Sequence, residues 1–300
     1  SSENCSAAIL IKREGLPRIS SVELVGFCID GLHFTNKDGQ IDENSYLNGK
    51  TGLYVDCAND SFCIRDMGFI YLEHAVAIRE ADALTIDNNF IAECGNCVEL
   101  LTCGQACKVA NNLMGAGYCG HSIYAENYGG LLISANNVFP RGRSSIHLLN
   151  VSRSNIASNR LHSFYPGMVI LEGQCCENLI SSNHLLRDPE PWAPMQGFNN
   201  NSVIANHISS SIDPEHLVDS DHSVIIKVNS GNGNYIANNH IVATDPSLSK
   251  ELEVKEASSC FATQVEAMTR ISNLKPFEKV CDVVLESATH DNQVIFTARK

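Results

Sequence analysis

The residues best equipped for chemistry lie between Arg79 and Leu100, in READALTIDNNFIAECGNCVEL, which carries five carboxylates, Glu80, Asp82, Asp87, Glu93 and Glu99, and two thiols, Cys94 and Cys97. Carboxylates in pairs serve cleavage or transfer at an anomeric carbon, where one protonates the leaving oxygen and its partner activates the nucleophile. The thiols, with Cys103, Cys107, Cys119 and His121 close behind, have a spacing that zinc could use. Small buried apolar side chains are the other reading, and the one adopted here. Asp87, two residues before Asn89, is placed to join a turn network. Asp82 and Glu93 stand 11 residues apart.

What positions them is a repeat. An apolar residue three places before an asparagine, and another two places after it, gives Ile86, Asn89 and Ile91. The triplet returns as Val109, Asn112, Met114; Ile133, Asn136, Val138; Ile156, Asn159, Leu161; Ile180, Asn183, Leu185; Val203, Asn206, Ile208; and Ile236, Asn239, Ile241. Successive asparagines are 23 or 24 residues apart until a last interval of 33. Short β-branched runs at this period, punctuated by Asn, Gly and Ser, predict an all-β fold, a right-handed parallel β-helix with apolar columns inside and a hydrogen-bonded asparagine ladder at one corner. Asn suits a corner because it tolerates left-handed backbone and bonds its neighbours' backbone. Earlier in the chain, Ala7 to Ile11, Val22 to Ile29 and the alternating run Phe62 to Glu73 read as strands.

Two excursions leave the period: the ten extra residues placed around Ser211 to His222, and RDPEPWAPMQGFNNN, with three prolines and Trp192, the only tryptophan. Both are expected to project as loops. Ser258 to Leu274 has helix-like apolar spacing, and VCDVVLES and QVIF read as closing strands. The expected organisation is therefore a β-helix over 1–243 and a C-terminal cap over 244–300, since a solenoid end is a sheet edge that needs cover.

Half a coil separates Asp82 from Glu93, so within one chain they are expected on different sides of the solenoid. To act together they need a bent turn or a neighbouring subunit. The chain's net charge of -13 disfavours nucleic acid and an anionic membrane surface as partners. No apolar run approaches the ~18 residues of a membrane span, and the first residues, SSENCSAAILIKREG, lack the order of a signal peptide, so a secreted protein would be a processed form.

The blocks AECGNCVEL, GAGYCGHSIYAENYGGLLISANNVFPRGRS and SNRLHSFYPGMVILE resemble the inulin fructotransferases, a β-helix family that also includes difructose dianhydride hydrolases. The resemblance runs from about Val22 to about Ala243. It implies a secreted bacterial homotrimer that needs no cofactor or metal and acts on the β-2,1-linked fructan inulin, releasing difructose dianhydride (III or I). The family's catalytic acids match Asp82 and Glu93, and its sites lie between adjacent subunits. Glu93 is the favoured acid and Asp82 the acceptor of the attacking hydroxyl's proton, though the two roles are interchangeable on sequence grounds. Members carry a longer portion before the equivalent of Ser1 and a longer segment near Gln196 to Asn201.

Arg141 and Asn96 are the candidates to hold sugar hydroxyls and Trp192 to stack on a furanose ring; a loop ion pair and a packing anchor are the structural alternatives for Arg141 and Trp192. His121 and His147 read as column or loop histidines rather than bases. The competing functions are a hydrolase that opens the dianhydride to inulobiose, a β-helical carbohydrate-binding protein without activity, and a pectate-lyase-like enzyme, for which no calcium-binding acid cluster is evident.

Overall fold

The computed structural model describes residues 6–15, 17–32, 47–116, 120–139, 144–163 and 168–187, and beyond these Asn206 and the strand segments between 198 and 296. All elements are strands, all pairings are parallel, and no helix occurs among the described residues. The chain is a parallel β-helix, as the period predicts.

Each coil visits four faces. A broad face is built from the strands Lys50–Asp56, the first part of His74–Asp82, the first part of Asn96–Gln105, His121–Glu126, Ser144–Leu149 and Val169–Glu172. A short ledge follows, in which Asn59–Asp60, Ala81 with Asp82, Gly104 with Gln105, and Tyr128–Gly129 lie side by side. A back face stacks eleven strands, among them Cys63–Arg65, Thr85–Asp87 and Lys108–Ala110. A return face stacks nine, among them Gly68–Ile70, Phe90–Cys94 and Leu113–Ala116.

The apolar halves of the repeat fill the interior. Ile64, Ile86, Val109, Ile133, Ile156 and Ile180 form one column on the back face, and Phe69, Ile91, Met114, Val138 and Leu161 another on the return face; all are 2% exposed or less. Burying each such side chain contributes about 1.5–3 kcal/mol, so stacking coils is the main source of stability.

Between these columns runs the ladder. The side-chain amide of Asn89 donates to Oδ1 of Asn112 (2.9 Å) and to the carbonyl of Ile64 (3.1 Å), and its backbone N–H also donates to Asn112 Oδ1 (2.9 Å). The same pattern passes from Asn112 to Asn136, Asn159, Asn183 and Asn206. Asn239 lies outside the described residues. One detail corrects the sequence reading: the left-handed residue at this corner is not the ladder asparagine but the one before it, Asn88, Asn111, Ala135, Ser158 or Ser182. The ladder side chain is there to bond, and its predecessor makes the bend. The other corners turn in the same way, on Ala83, Ala106 and Arg153 after the ledge, and on Glu80, Thr102, Asn127 and Asn150 before it.

Where the expected helix over Ser258 to Leu274 is described, the residues are strands: Cys260–Phe261 and Gln264–Ala267, the latter continuing the back face beside Tyr235–Ala237. Short strands in close succession give an apolar spacing of three to four, which imitates a helical face. VCDVVLES and QVIF do hold strands, Cys281–Leu285 and Gln293–Phe296. Within the Pro-rich excursion Phe198–Asn199 is also a strand, paired with Cys175–Cys176 on the ledge. The loop expected around Ser211 to His222 falls outside the described residues.

Candidate active site

Asp82 ends the strand His74–Asp82 and points outward from the ledge, its side chain 27% exposed. It is in register with Asp60 one coil before and with Gln105 one coil after. Arg18 reaches this position from the N-terminal coil and its Nη1 donates to Asp82 Oδ2 (3.0 Å) and to Asp60 Oδ2 (3.4 Å). Behind the ledge, the buried Tyr128 passes its ring across Gly104 so that its hydroxyl accepts from the N–H of Ala81 (3.2 Å). A Cβ on Gly104 would stand 2.1 Å from the Ala81 carbonyl and 2.2 Å from the Tyr128 ring, so only glycine lets the ring through. The strand carrying Asp82 is thereby pinned from both sides.

Beside this position a groove of about 270 Å³ is lined by Arg13, Pro17, Asp56, Cys57, Ala58, Arg79 and Glu80. Arg79 is held by Asp56 (3.2 Å) and by Thr102 Oγ1 (3.2 Å), and Arg13 donates to the carbonyl of Arg18 (2.9 Å). Guanidinium groups and carboxylates with fixed partners, half-open to solvent, are the donors and acceptors that bind sugar hydroxyls.

Glu93 lies elsewhere. It occupies the far end of the return-face strand Phe90–Cys94, in left-handed backbone (φ 51°), where the register against Leu113–Ala116 shifts between Ala92 and Cys94. The bulge lies just before the corner that leads into the broad face, and Glu93 is half-buried there. Asp82 and Glu93 thus stand at opposite edges of the broad face, whose strand His74–Asp82 has nine residues. The strand bends at the left-handed Glu80, so about six of its residues cross the face, and at a rise of about 3.3 Å per residue the span is on the order of 20 Å. A carboxylate pair serving one glycosidic bond needs about 5–9.5 Å. One chain does not bring the two acids together.

Between them the outward side chains of the broad face form a polar network. His74 Nδ1 bonds Glu99 (2.6 Å), a contact that raises the histidine pKa, and Asn96 stands beside it while accepting from the N–H of His121 (2.9 Å). His121 bonds Ser144 (2.6 Å), His147 bonds Glu172 (2.8 Å), and the rings of His121, Tyr124 and His147 pack at centroid distances of 4.9–5.8 Å. Both histidines are face residues with partners. Arg141 and Trp192 lie outside the described residues.

Arg18, Asp60, Arg13 and Arg79 are the site residues that the sequence reading missed. Arg18 and Asp60 carry no motif, and their partner Asp82 is 64 residues from Arg18, a relation that only the stacking of the first coils creates.

A family model described as the beta helix repeat of inulin fructotransferase matches residues 198–300. The DFA-I-forming inulin fructotransferase of Arthrobacter globiformis is 40% identical over 254 residues, 79% of this chain and 62% of that protein. The crystal structure of DFA-IIIase from Arthrobacter chlorophenolicus A6 in complex with GF2 superposes with a TM-score of 0.76 at 48% identity, covering 94% of this chain and 71% of that one. The chain belongs to the inulin fructotransferase family. A second crystal structure of the same DFA-IIIase, in complex with DFA-III, gives a TM-score of 0.75 at 46% identity over 94% of this chain and 72% of that one. This family member spans 62% of the length of the Arthrobacter globiformis relative.

A further model, that of a periplasmic copper-binding protein (NosD), matches residues 19–185. Among the described thiols of that region, Cys94 donates to the carbonyl of Ala92 (3.3 Å) and Cys107 to that of Ala81 (3.3 Å), and burial pushes both up to about 12. Cys97 is buried beside Cys94 and shifted the same way. Among the described residues no three His, Cys, Asp or Glu side chains are grouped to hold a metal ion, and the nine cysteines whose side chains are described are free thiols.

Proposed function

We propose that this protein is an inulin fructotransferase that releases difructose dianhydride, III or I, from the end of β-2,1-linked fructan, with Asp82 and Glu93 as its catalytic acids. The carrying observation is the placement of the two acids, half-buried and outward at the two edges of one face, with Asp82 beside a polar groove. A site made where the Asp82 edge of one subunit meets the Glu93 edge of the next, in a homotrimer, satisfies the pair's required spacing. Support comes from the family and from a 46% identical relative solved with DFA-III bound.

The reaction needs no water. A hydroxyl of the terminal difructosyl unit attacks an anomeric carbon within that unit, the bond from this carbon to the rest of the chain breaks, and the leaving fructosyl oxygen takes a proton from Glu93. Asp82, already a hydrogen-bond acceptor from Arg18, takes the proton of the attacking hydroxyl. Protons lost by Glu93 and gained by Asp82 equilibrate with solvent before the next turnover. The groove by Arg13 and Arg79 accommodates the neighbouring fructosyl ring, and Arg141, Asn96 and Trp192 complete substrate binding. The chemistry calls on no cofactor. The C-terminal stretch 244–300 closes the solenoid's end.

Export from the cell fits a polymeric substrate; no helix among the described residues is long and apolar enough to cross a membrane. Incubation of the purified protein with inulin should yield a cyclic disaccharide, and release of fructose alone, or of nothing, would refute the proposal. The second reading, hydrolysis of the dianhydride to inulobiose, draws on the same DFA-III-bound relative. Supplying the dianhydride separates the two, since only a hydrolase converts it to the linear disaccharide.

A further inference from the structure

We infer that Arg18 and Asp60 are a positioning pair for Asp82, setting the orientation of its carboxylate and which of its oxygens is presented to substrate. The inference rests on the reading of Asp82 as the residue that accepts the attacking hydroxyl's proton.

Three facts about the first coils lead there. Asp60 and Asp82 are register partners on adjacent strands, which places two carboxylates about one strand spacing, roughly 4.8 Å, apart on the same outward face. Two like charges at that distance oppose each other's ionisation unless something bridges them. The bridge is Arg18, whose single Nη1 reaches both, at 3.0 Å to Asp82 and 3.4 Å to Asp60. Asp60 is fixed by further bonds: the Ser20 hydroxyl, the largest influence, and Arg18 hold its carboxyl below the usual range, and its carbonyl accepts from Ser21 N (3.1 Å). The guanidinium is delivered by a braced segment, in which Arg13 donates to the Arg18 carbonyl and Ile19 N to the Ala58 carbonyl (3.0 Å).

The pair is too exposed to be there for stability. The side chains of Arg18, Asp60 and Asp82 are 42%, 32% and 27% exposed, and ion pairs in such surroundings contribute little to folding. Exposure of this degree does leave Asp82 open to a substrate hydroxyl while Arg18 fixes which oxygen is presented. The remaining groups that face Asp82 leave its charge to these two. Gln105 on the next coil is uncharged. Behind the ledge, burial keeps Tyr128 and Cys107 protonated, the latter with its pKa near 12. Glu80 on the same strand turns into the neighbouring groove, and Cys103 lies on the strand of Gln105.

Arg18 and Asp60 therefore act on Asp82 in different ways. Removing the guanidinium leaves two facing carboxylates with nothing between them to fix either. Removing the Asp60 charge leaves Arg18 bound to Asp82 alone, held from one side only.

The test is kcat and KM on inulin for the wild type, Arg18→Gln, Arg18→Lys, Asp60→Asn and Asp82→Asn, with thermal melts on each. In Arg18→Gln kcat should fall about ten- to hundredfold, as misplacement of a catalytic group does, with KM changing far less. Arg18→Lys, which keeps a cationic donor, should recover part of that loss, and Asp60→Asn should lose less than Arg18→Gln. If Asp82→Asn is inactive yet Arg18→Gln keeps the wild-type kcat, or loses it only in step with its melting temperature, the positioning pair is refuted and the role of Asp82 stands. If Asp82→Asn keeps its turnover, or the wild type converts neither inulin nor the dianhydride, the reading of Asp82 fails and takes the pair with it. Should Arg18→Gln not fold, the graded losses of kcat in Arg18→Lys and Asp60→Asn carry the same prediction.

Discussion

The corner between the back and return faces and the two corners that bound the broad face are made from the same material and behave differently. At the first, the coils from Asn89 to Asn183 repeat one pattern: a left-handed residue, then a buried asparagine, with Thr85–Asp87 leading to Phe90–Cys94 just as Lys108–Ala110 leads to Leu113–Ala116. At the others the residues change along the column. The ledge corner holds Asp60, Asp82, Gln105 and Gly129 in one column, and the corner into the broad face has a left-handed Glu93 in one coil and a register shift to the next. A repeat free to vary at one edge without losing register at another separates stability from chemistry. The ladder corner holds the coils in register, and the irregular edges carry the acids.

That separation is broken most sharply by removing the acids. Asp82→Asn and Glu93→Gln should each lower kcat on inulin by about 10²–10⁴-fold, as loss of an acid or base does, while the melting temperature stays within a degree or two of wild type. A fall in stability matching the loss of turnover would mean the acids are scaffold.

The reverse experiment is Asn136→Ala in mid-ladder. It leaves the Asn112 N–H and amide without the oxygen they share and the Val109 carbonyl without its donor, at about 1–3 kcal/mol for each unsatisfied group. Denaturant unfolding should show a loss of several kcal/mol, with kcat of the folded fraction nearly unchanged.

Gly104→Ala tests whether the ledge is tuned from behind. Its methyl group would collide with the Ala81 carbonyl and the Tyr128 ring, so the strand bearing Asp82 must shift. Activity should drop more than tenfold at a modest cost in melting temperature, and Tyr128→Phe, which removes only the hydroxyl that receives the Ala81 N–H, should drop less.

The smallest effect belongs to the broad face. Glu99 raises the pKa of His74, so the pair's contribution is fully present below the ordinary histidine value of about 6.5 and is lost as pH rises through the raised value. The melting temperature of the wild type should therefore decline more steeply above pH 6.5 than that of Glu99→Gln. Parallel curves would show that the contact carries no linkage.

The contrast also explains what could be read from the sequence. The period, the interior columns and the ladder were legible because they sit at the invariant corner, where each coil restates the same residues. Asp82 and Glu93 were singled out from five carboxylates by the resemblance to the inulin fructotransferases, and the half-coil spacing gave the expectation that they lie on different sides. Arg18 and Asp60 were not legible, because the first coils have another length and their residues meet Asp82 only through strand stacking. Cys260–Phe261 and Gln264–Ala267 were read as helix for a related reason: short strands in close succession space their apolar residues as a helix does.

The central claim, that one active site takes Asp82 from one chain and Glu93 from another, is tested most directly by complementation. Asp82→Asn and Glu93→Gln chains carrying different tags are co-expressed, assemblies bearing both tags are isolated, and their conversion of inulin is compared with that of each variant alone. Recovery of dianhydride release in the mixed assembly, from two inactive parents, is the predicted result. Mixed assemblies as inactive as their parents, or full wild-type activity in a species that light scattering shows to be a monomer, would contradict it.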